Sequence, residues 1–160
     1  MNKMTFALYF ANRGFFPESL VSEARADITA ALDKAGYGYI YLDPSATRFG
    51  AVTTADEGRV YAKWLKEHEG EYDGIIMSLP NFGDENGAVP AMRDANVPIF
   101  IQAYPDEIGK MDFEHRRDAY CGKFSISDMF NQFGIRYTLM PPHVVHPASD
   151  AFQQNLRDFA

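Results

Sequence analysis

Short apolar segments alternate along this chain with longer segments in which apolar residues recur every three or four positions. The short segments have the length and the aromatic or β-branched content of buried strands. They lie at residues 4–10, 37–42, 74–79, 98–103 and 135–140. Strands separated by helices are joined by crossovers, which place parallel strands in one sheet with helices on both faces. We therefore predict an α/β fold that is three-layered and doubly wound, with a five-stranded parallel sheet in the flavodoxin-like order 2-1-3-4-5.

Signals for the first two helices lie at their expected ends. Pro17 and Glu18 suit the first turn of a helix that Gly36 ends. Thr54 and Glu57 have the spacing of a capping box, which predicts the start of the second helix.

The other three helices have fewer capping signals in the sequence. A third helix is expected to run through Met92 and Ala95, with Pro90 tolerated only in its first turn. A fourth is expected from Phe124 until Gly134 stops it, and a fifth over residues 150–159. The long charged stretch before the fourth helix, 104–121, is the least structured part of the prediction, and stretches of this length are often functional or partly helical.

Composition limits the class of protein and its partners. A length of 160 residues with 46% hydrophobic residues fits one Rossmann-like domain over 1–160 with a sizeable core. A net charge of −7 argues against nucleic acid and anionic membranes as partners. The single cysteine, the lack of a secretory signal and the lack of an apolar run of about 20 residues predict a cytoplasmic protein.

Several ligands that are common in this fold are disfavoured by the loops that follow the strands. The segment after the first strand, 12–17, has one glycine and two phenylalanines, which does not suit the glycine-rich turn of NAD and FAD sites or the hydroxyl-rich loop of FMN sites. Ser78 and Leu79 stand where a phosphate-accepting receiver domain needs an aspartate. Ser127 stands where a small phosphatase needs an arginine after Cys121, and Arg117 stands where a P-loop needs a glycine.

Polar residues near the strand ends leave alternatives open. Arg13 offers a forked donor for sugar hydroxyls or a carboxylate, or it is a surface arginine paired with Glu18. His143 and His146 have a spacing that suits zinc only on a helix, which the neighbouring prolines oppose. Acid–base or metal chemistry, or simple helix capping, would each explain a group of four carboxylates. This group comprises Asp84, Glu85, Asp106 and Glu107.

Aromatic residues at the same strand ends are also open to two interpretations. Phe15, Phe16 and Phe82 are either stacking surfaces for the apolar face of a sugar ring or parts of the core or of an interface.

Three motifs in order along the chain resemble the L-fucose isomerase and L-arabinose isomerase-like proteins. They are NRGFFP at 12–17, QAYPDE at 102–107 and AYCGKFS at 119–125. Those isomerases are longer, with two α/β domains and a β-rich domain, and this chain resembles only the first. The uncapped end of the last helix, at 159–160, fits a chain that continues into further domains.

The resemblance implies an aldose–ketose isomerase that uses a divalent metal, usually manganese, to hold the sugar while two carboxylates move a proton through an enediol. In the family those carboxylates and the metal-binding histidine lie in the later domains. We therefore assign no catalytic residue, metal ligand or bound cofactor to this chain, and Mn²⁺ is expected only in the full-length parent. Cys121 and Lys123 match the family motif, and we interpret them as packing and loop-anchoring residues because no partner base for a nucleophile is evident in the sequence.

The resemblance also implies a supporting role, in which the first domain lies at a subunit interface and covers the active site of a neighbouring chain. Arg13 matches the family's loop arginine that reaches the sugar, and Asn81 and Phe82 occupy the place of an aromatic contact. We predict substrate contacts by Arg13, Asn81, Phe82 and Tyr104. The expected partners are a monosaccharide shared with a neighbouring subunit and further copies in a homo-oligomer.

Two other functions are carried as alternatives. One is a free-standing module that binds a sugar or another small metabolite, because the same strand-end loops would serve it. The other is a small metal hydrolase that uses Asp84, Asp106 and His143.

Overall fold

The computed structural model describes residues 3–160 and contains a parallel sheet flanked by helices. The described strands are β1 (Thr5–Phe10), β2 (Gly38–Tyr41), β3 (Gly74–Leu79) and β4 (Ile99–Ala103). The helices are α1 (Glu18–Ala35), α2 (Ala55–Glu67), α3 (Glu85–Met92), α4 (Ala119–Gln132) and α5 (Asp150–Phe159). The strand order is β2-β1-β3-β4, and every pair is parallel.

The predicted α/β class is confirmed, but the predicted fifth strand is not formed. The segment 135–140 lies beside β4, yet only Thr138 makes a bridge, to Phe100. The Thr138 amide donates to Ile99 O at 2.7 Å, and Thr138 O accepts from Ile101 N at 3.2 Å. Pro141 and Pro142 follow and have no N–H to donate, so the ladder does not continue. The sheet in the described chain is therefore four-stranded, in the order 2-1-3-4.

The first two helices follow the signals in the sequence. Gly36 ends α1 in a left-handed conformation, with φ of 80°. The capping box of α2 is complete, because the Thr54 hydroxyl accepts from Glu57 N and the Glu57 carboxylate accepts from Thr54 N. Each of these ends satisfies backbone groups that a helix leaves unpaired.

The third and fourth helices depart from the prediction. Pro90 is the sixth residue of α3, beyond the first turn, where its ring faces Gly58 of α2. The helix tolerates it because α3 has only eight residues and loses a single internal bond. The fourth helix begins at Ala119, well before Phe124, because a left-handed residue at Asp118 turns the chain into the helix.

Helices cover both faces of the sheet. Phe6 of β1 packs against Phe159 of α5, with ring centroids 5.4 Å apart. Tyr9, on the opposite face of the same strand, packs against Tyr61 of α2 at 5.0 Å. Contacts between α1 and α5 on one side, and among α2, α3 and α4 on the other, complete the layers. No helix within residues 3–160 is both long and apolar enough to cross a membrane.

The carboxyl ends of the parallel strands lie along one edge of the sheet, and the loops that leave them meet there. We call this region the strand-exit edge and define it by residues 12–16, 80–84 and 104–118. Ligands of doubly wound sheets bind at this edge. Arg13, Asn81, Phe82 and Tyr104 all come from it.

Candidate functional site

Two buried asparagines join the ends of β1 and β3. The Asn81 amide donates to Asn12 Oδ1 at 2.8 Å, and the Asn12 amide donates to Thr53 Oγ1 at 3.2 Å. Asn81 Oδ1 accepts from the backbone N–H of Arg13 at 3.1 Å and of Gly83 at 3.0 Å. Both asparagine side chains are fully buried, so this network fixes the two exit loops relative to one another.

The Arg13 side chain is held in one orientation by the loop after β3. Its Nε donates to Gly83 O at 2.8 Å, and its Nη2 donates to Glu85 Oε2 at 2.7 Å. The guanidinium carbon lies 4.5 Å from the centre of the Phe82 ring, within cation–π range. Glu85, and not Glu18, is therefore the ion-pair partner of Arg13.

Arg13 retains N–H groups that can donate hydrogen bonds to a ligand. A guanidinium has five N–H groups, and the two hydrogen bonds of Arg13 use two of them. The side chain is 30% exposed. The structure thus brings together Arg13, Asn81 and Phe82, with Asn81 acting through the backbone and Phe82 beneath the guanidinium.

The neighbouring phenylalanines separate into a buried one and two exposed ones. Phe16 is buried, whereas Phe15 is 53% exposed and stacks on Phe113 with a centroid distance of 5.8 Å. Phe113 belongs to the loop after β4 and is 63% exposed. We call Phe15 and Phe113 the aromatic pad; the exposed Met111 lies on the same loop.

Tyr104 lies in a different set of contacts. Its ring is 1% exposed, and its hydroxyl donates to Asp27 Oδ2 of α1 at 2.9 Å. Burial raises the pKa of the Tyr104 phenol, with Asp27 adding to the effect, so the hydroxyl stays a neutral donor. The Arg117 guanidinium packs 4.5 Å from the ring centre. These contacts bind the β4 exit to α1 and do not reach the Arg13 loop.

Arg117 is a residue of this edge that the sequence interpretation missed. It is 5% exposed, and its Nη1 donates to Pro80 O at 3.1 Å, which ties the loop after β4 to the loop after β3. Its backbone N–H donates to Asp106 Oδ1 at 2.8 Å. In a charged stretch with three basic residues at 115–117, no feature of the sequence separates this buried arginine from its more exposed neighbours.

The other acidic residues of the edge have local roles. Asp84 caps α3 by accepting from Asn86 N at 2.9 Å, and Glu107 pairs with Lys110 at 2.6 Å. Asp106 accepts backbone N–H groups, as described above. A helix cap, an ion pair and backbone hydrogen bonds within the loop are therefore the contacts of these three carboxylates.

The two histidines after the segment 135–140 do not form a metal site with the acids. His143 accepts a hydrogen bond through its backbone carbonyl, and His146 Nε2 lies 3.7 Å from Asp27 Oδ2. Within residues 3–160, no three His, Cys, Asp or Glu side chains lie together as metal ligands would. The described residues thus do not assemble the site of the metal-hydrolase alternative around Asp84, Asp106 and His143.

The AYCGKFS motif forms the first two turns of α4 and supports the site from behind. A Cβ on Gly122 would overlap the carbonyl oxygen of Phe82, so only glycine lets α4 pass this close to the Phe82 loop. Cys121 is exposed. Lys123 is buried and donates from Nζ to His143 O at 2.8 Å, and burial lowers the pKa of its ammonium to about 8.

Comparison with known families identifies the domain. Residues 7–160 match the sequence model of the fucose/sulfoquinovose isomerase N-terminal domain. The chain belongs to this family. The resemblance inferred from the three motifs is therefore confirmed, and no curated protein matches the chain at a significant level.

The three motifs that led to the family have structural explanations in this fucose/sulfoquinovose isomerase N-terminal domain. NRGFFP supplies Arg13 and the Asn12 side of the buried amide network. QAYPDE anchors the β4 exit through Gln102, whose Nε2 donates to Val145 O at 2.7 Å. AYCGKFS lets α4 approach the Phe82 loop. All three shape the strand-exit edge.

Proposed function

We propose that this chain is the substrate-covering and oligomerisation domain of a metal-dependent aldose–ketose sugar isomerase. The catalytic carboxylates then lie outside this chain, in later domains of a longer protein. The observation that carries this proposal is the Arg13 guanidinium, fixed by Gly83, Glu85 and Phe82 with donors to spare, in a family of isomerase N-terminal domains.

The geometry around Arg13 suits one side of a monosaccharide. Free N–H groups of a guanidinium donate to sugar hydroxyls, and the part of the half-buried Phe82 ring that Arg13 leaves uncovered offers apolar surface to the C–H face of a sugar. Arg13 and Phe82 are the contacts we propose for the substrate. Direct contact by Asn81 and Tyr104 stays a prediction, and their buried side chains favour a role in positioning the loops.

The aromatic pad supports a contact with another subunit. Phe15, two residues after Arg13 on the same loop, and Phe113 expose large apolar surfaces, and exposed aromatic patches of this kind are typical of interfaces. A neighbouring copy that packs on the pad would place Arg13 over that copy's active site. The full-length protein is then a homo-oligomer in which the sugar is shared between subunits.

The divalent metal belongs to the full-length parent in this proposal. We assign this chain neither a ligand to the ion nor a part in a step at it. Mn²⁺ or a similar ion, bound by other domains, would hold the sugar oxygens. A cytoplasmic location also stays a prediction.

The test compares the product of the complete reading frame with residues 1–160 alone, each supplied with Mn²⁺ and a panel of aldoses. We expect ketose from the full-length protein and none from the 160-residue chain. Turnover by that chain alone would contradict the proposal, because it would place the catalytic carboxylates here.

An Arg13→Ala variant of the full-length protein tests the covering role. Loss of charged hydrogen bonds to the sugar should lower kcat/KM by about tenfold or more. Arg59→Ala is the matched control, because Arg59 is an exposed arginine of α2. Equal activity in the two variants would remove Arg13 from the substrate site.

A further inference from the structure

Glu85 occupies a special position next to Arg13. It is the first residue of α3, directly after the cap Asp84, so its carboxylate lies at the positive end of the helix. From there it holds Arg13 Nη2 at 2.7 Å through Oε2, and the Oε1 atom is not used in this ion pair. The side chain is 25% exposed, so a ligand that reaches Arg13 also meets Glu85.

The Arg13 guanidinium itself carries no unpaired positive charge, although the exposed Arg48 contacts the same loop, with its Nη1 donating to Gly14 O at 3.3 Å. Arg13 and Glu85 cancel, and Asp84 adds a negative charge beside them. The buried Arg117 is directed to Pro80 O and Glu23. A ligand at Arg13 therefore meets a donor and an acceptor side by side, and not a free cation.

This arrangement distinguishes two kinds of sugar that the family name contains. Fucose is uncharged, whereas sulfoquinovose carries a sulfonate that is ionised at neutral pH. A sulfonate only accepts hydrogen bonds, so it would compete with Glu85 for Arg13 and be repelled by the carboxylate. A sugar hydroxyl accepts from Arg13 and donates to Glu85 at the same time.

We propose that the Arg13–Glu85 pair makes this site select an uncharged sugar against a sulfonated one, with Glu85 as the residue that orients Arg13 and discriminates between them. This inference rests on the proposed function, since it assumes that Arg13 meets the sugar. It adds the class of substrate to that function.

The test measures binding and turnover of L-fucose and sulfoquinovose by the full-length protein, in the wild type and in Glu85→Gln. Calorimetry gives Kd, and ketose formation gives kcat/KM. We expect the wild type to prefer L-fucose. In Glu85→Gln the preference should shift towards the sulfonated sugar by about tenfold or more, because the repulsion and the competing acceptor charge are removed.

Two further variants separate discrimination from general damage. Glu18→Gln removes an equal charge from an exposed position nearby and should keep the wild-type preference. Glu85→Asp keeps the acceptor charge and should retain the preference for L-fucose even if turnover falls. A uniform loss for both sugars in Glu85→Gln would overturn the inference.

The outcomes also separate this inference from the proposed function. Turnover with a wild-type preference for sulfoquinovose would overturn the inference and leave the isomerase role intact. Binding of L-fucose over sulfoquinovose without any turnover would support the inference and contradict the isomerase role. Failure of both sugars to bind the full-length protein would overturn the inference.

Discussion

At the scale of single residues, Lys123 places an ammonium group in the interior, at 4% exposure, with the carbonyl of His143 as its hydrogen-bond acceptor. Burial lowers its pKa from the ordinary value of 10.5 to about 8. Between these two pH values the unfolded chain binds more protons than the folded one. The free energy of unfolding therefore rises as the pH increases through this window.

The measurement is urea unfolding of this chain at about pH 8 and about pH 9, where Lys123 should contribute a rise of about 1 kcal/mol. Lys123→Met should lose this rise, because methionine does not titrate. Lys34→Met, an exposed lysine of α1, should keep it. The pH must stay below the range in which tyrosines of the unfolded chain ionise. Burial raises the pKa of Tyr9 and Tyr61 in the folded protein, so ionisation of these tyrosines lowers the free energy of unfolding as the pH rises through that range. A parallel slope in all three proteins would contradict the assignment to Lys123.

Single residues also show where sequence reasoning stops. Arg13 was found because an arginine after a first strand lies at the edge where ligands bind. Its partner Glu85 lies 72 positions away, and only the β1–β3 pairing brings the two together. Sequence spacing favoured the nearby Glu18 instead. Gln102 and Arg117 are equally hidden, because their acceptors are backbone carbonyls in distant loops.

At the scale of elements, α2 and α3 approach each other closely at Gly58 and Gly87. A Cβ on Gly58 would overlap the carbonyl oxygen of Gly87 and lie 2.9 Å from the Pro90 ring. In an exposed helix, replacing glycine by alanine stabilises by about 1 kcal/mol. Here we expect the opposite sign, with Gly58→Ala destabilising by about 1–2 kcal/mol net, because α3 must move away.

Urea unfolding of Gly58→Ala and of Arg59→Ala, at the next and exposed position, provides the comparison. The control should change the free energy of unfolding by about 0.5 kcal/mol or less. A higher free energy of unfolding for Gly58→Ala than for the wild type would contradict the prediction, because it would mean that α3 moves away from α2 without a cost in stability. Since Glu85 begins α3, a movement of this helix should also disturb Arg13.

Elements with their own end signals were predicted well, and elements that depend on partners were not. The four observed strands begin and end within one residue of the predicted segments, and the α2 capping box is local chemistry that the sequence states directly. The segment 135–140 has the composition of a strand, but forming one needs backbone donors along β4, and the prolines after it supply none. The start of α4 depends on a left-handed Asp118, which propensity does not indicate.

At the scale of the whole molecule, the two ends of the sheet differ in what they expose. The strand-exit edge carries both the aromatic pad and Arg13. The opposite end carries Phe133 after α4, 46% exposed, with the Arg93 guanidinium carbon 5.4 Å from its ring centre. If the domain contacts a neighbouring subunit through the pad, a charge should be harmful at the first end and tolerated at the second.

Phe113→Asp and Phe133→Asp in the full-length protein therefore form a matched pair, since each replaces an exposed phenylalanine by the same charge. Sedimentation velocity across a range of concentrations should show subunit association weakened by about thirtyfold or more in Phe113→Asp, the usual effect of losing a central aromatic contact. Phe133→Asp should assemble like the wild type, and circular dichroism should show both variants folded. Because the neighbouring copy is proposed to lie over Arg13, turnover per subunit should fall with association in Phe113→Asp and recover at high protein concentration. Normal assembly of Phe113→Asp would exclude the pad as the subunit contact.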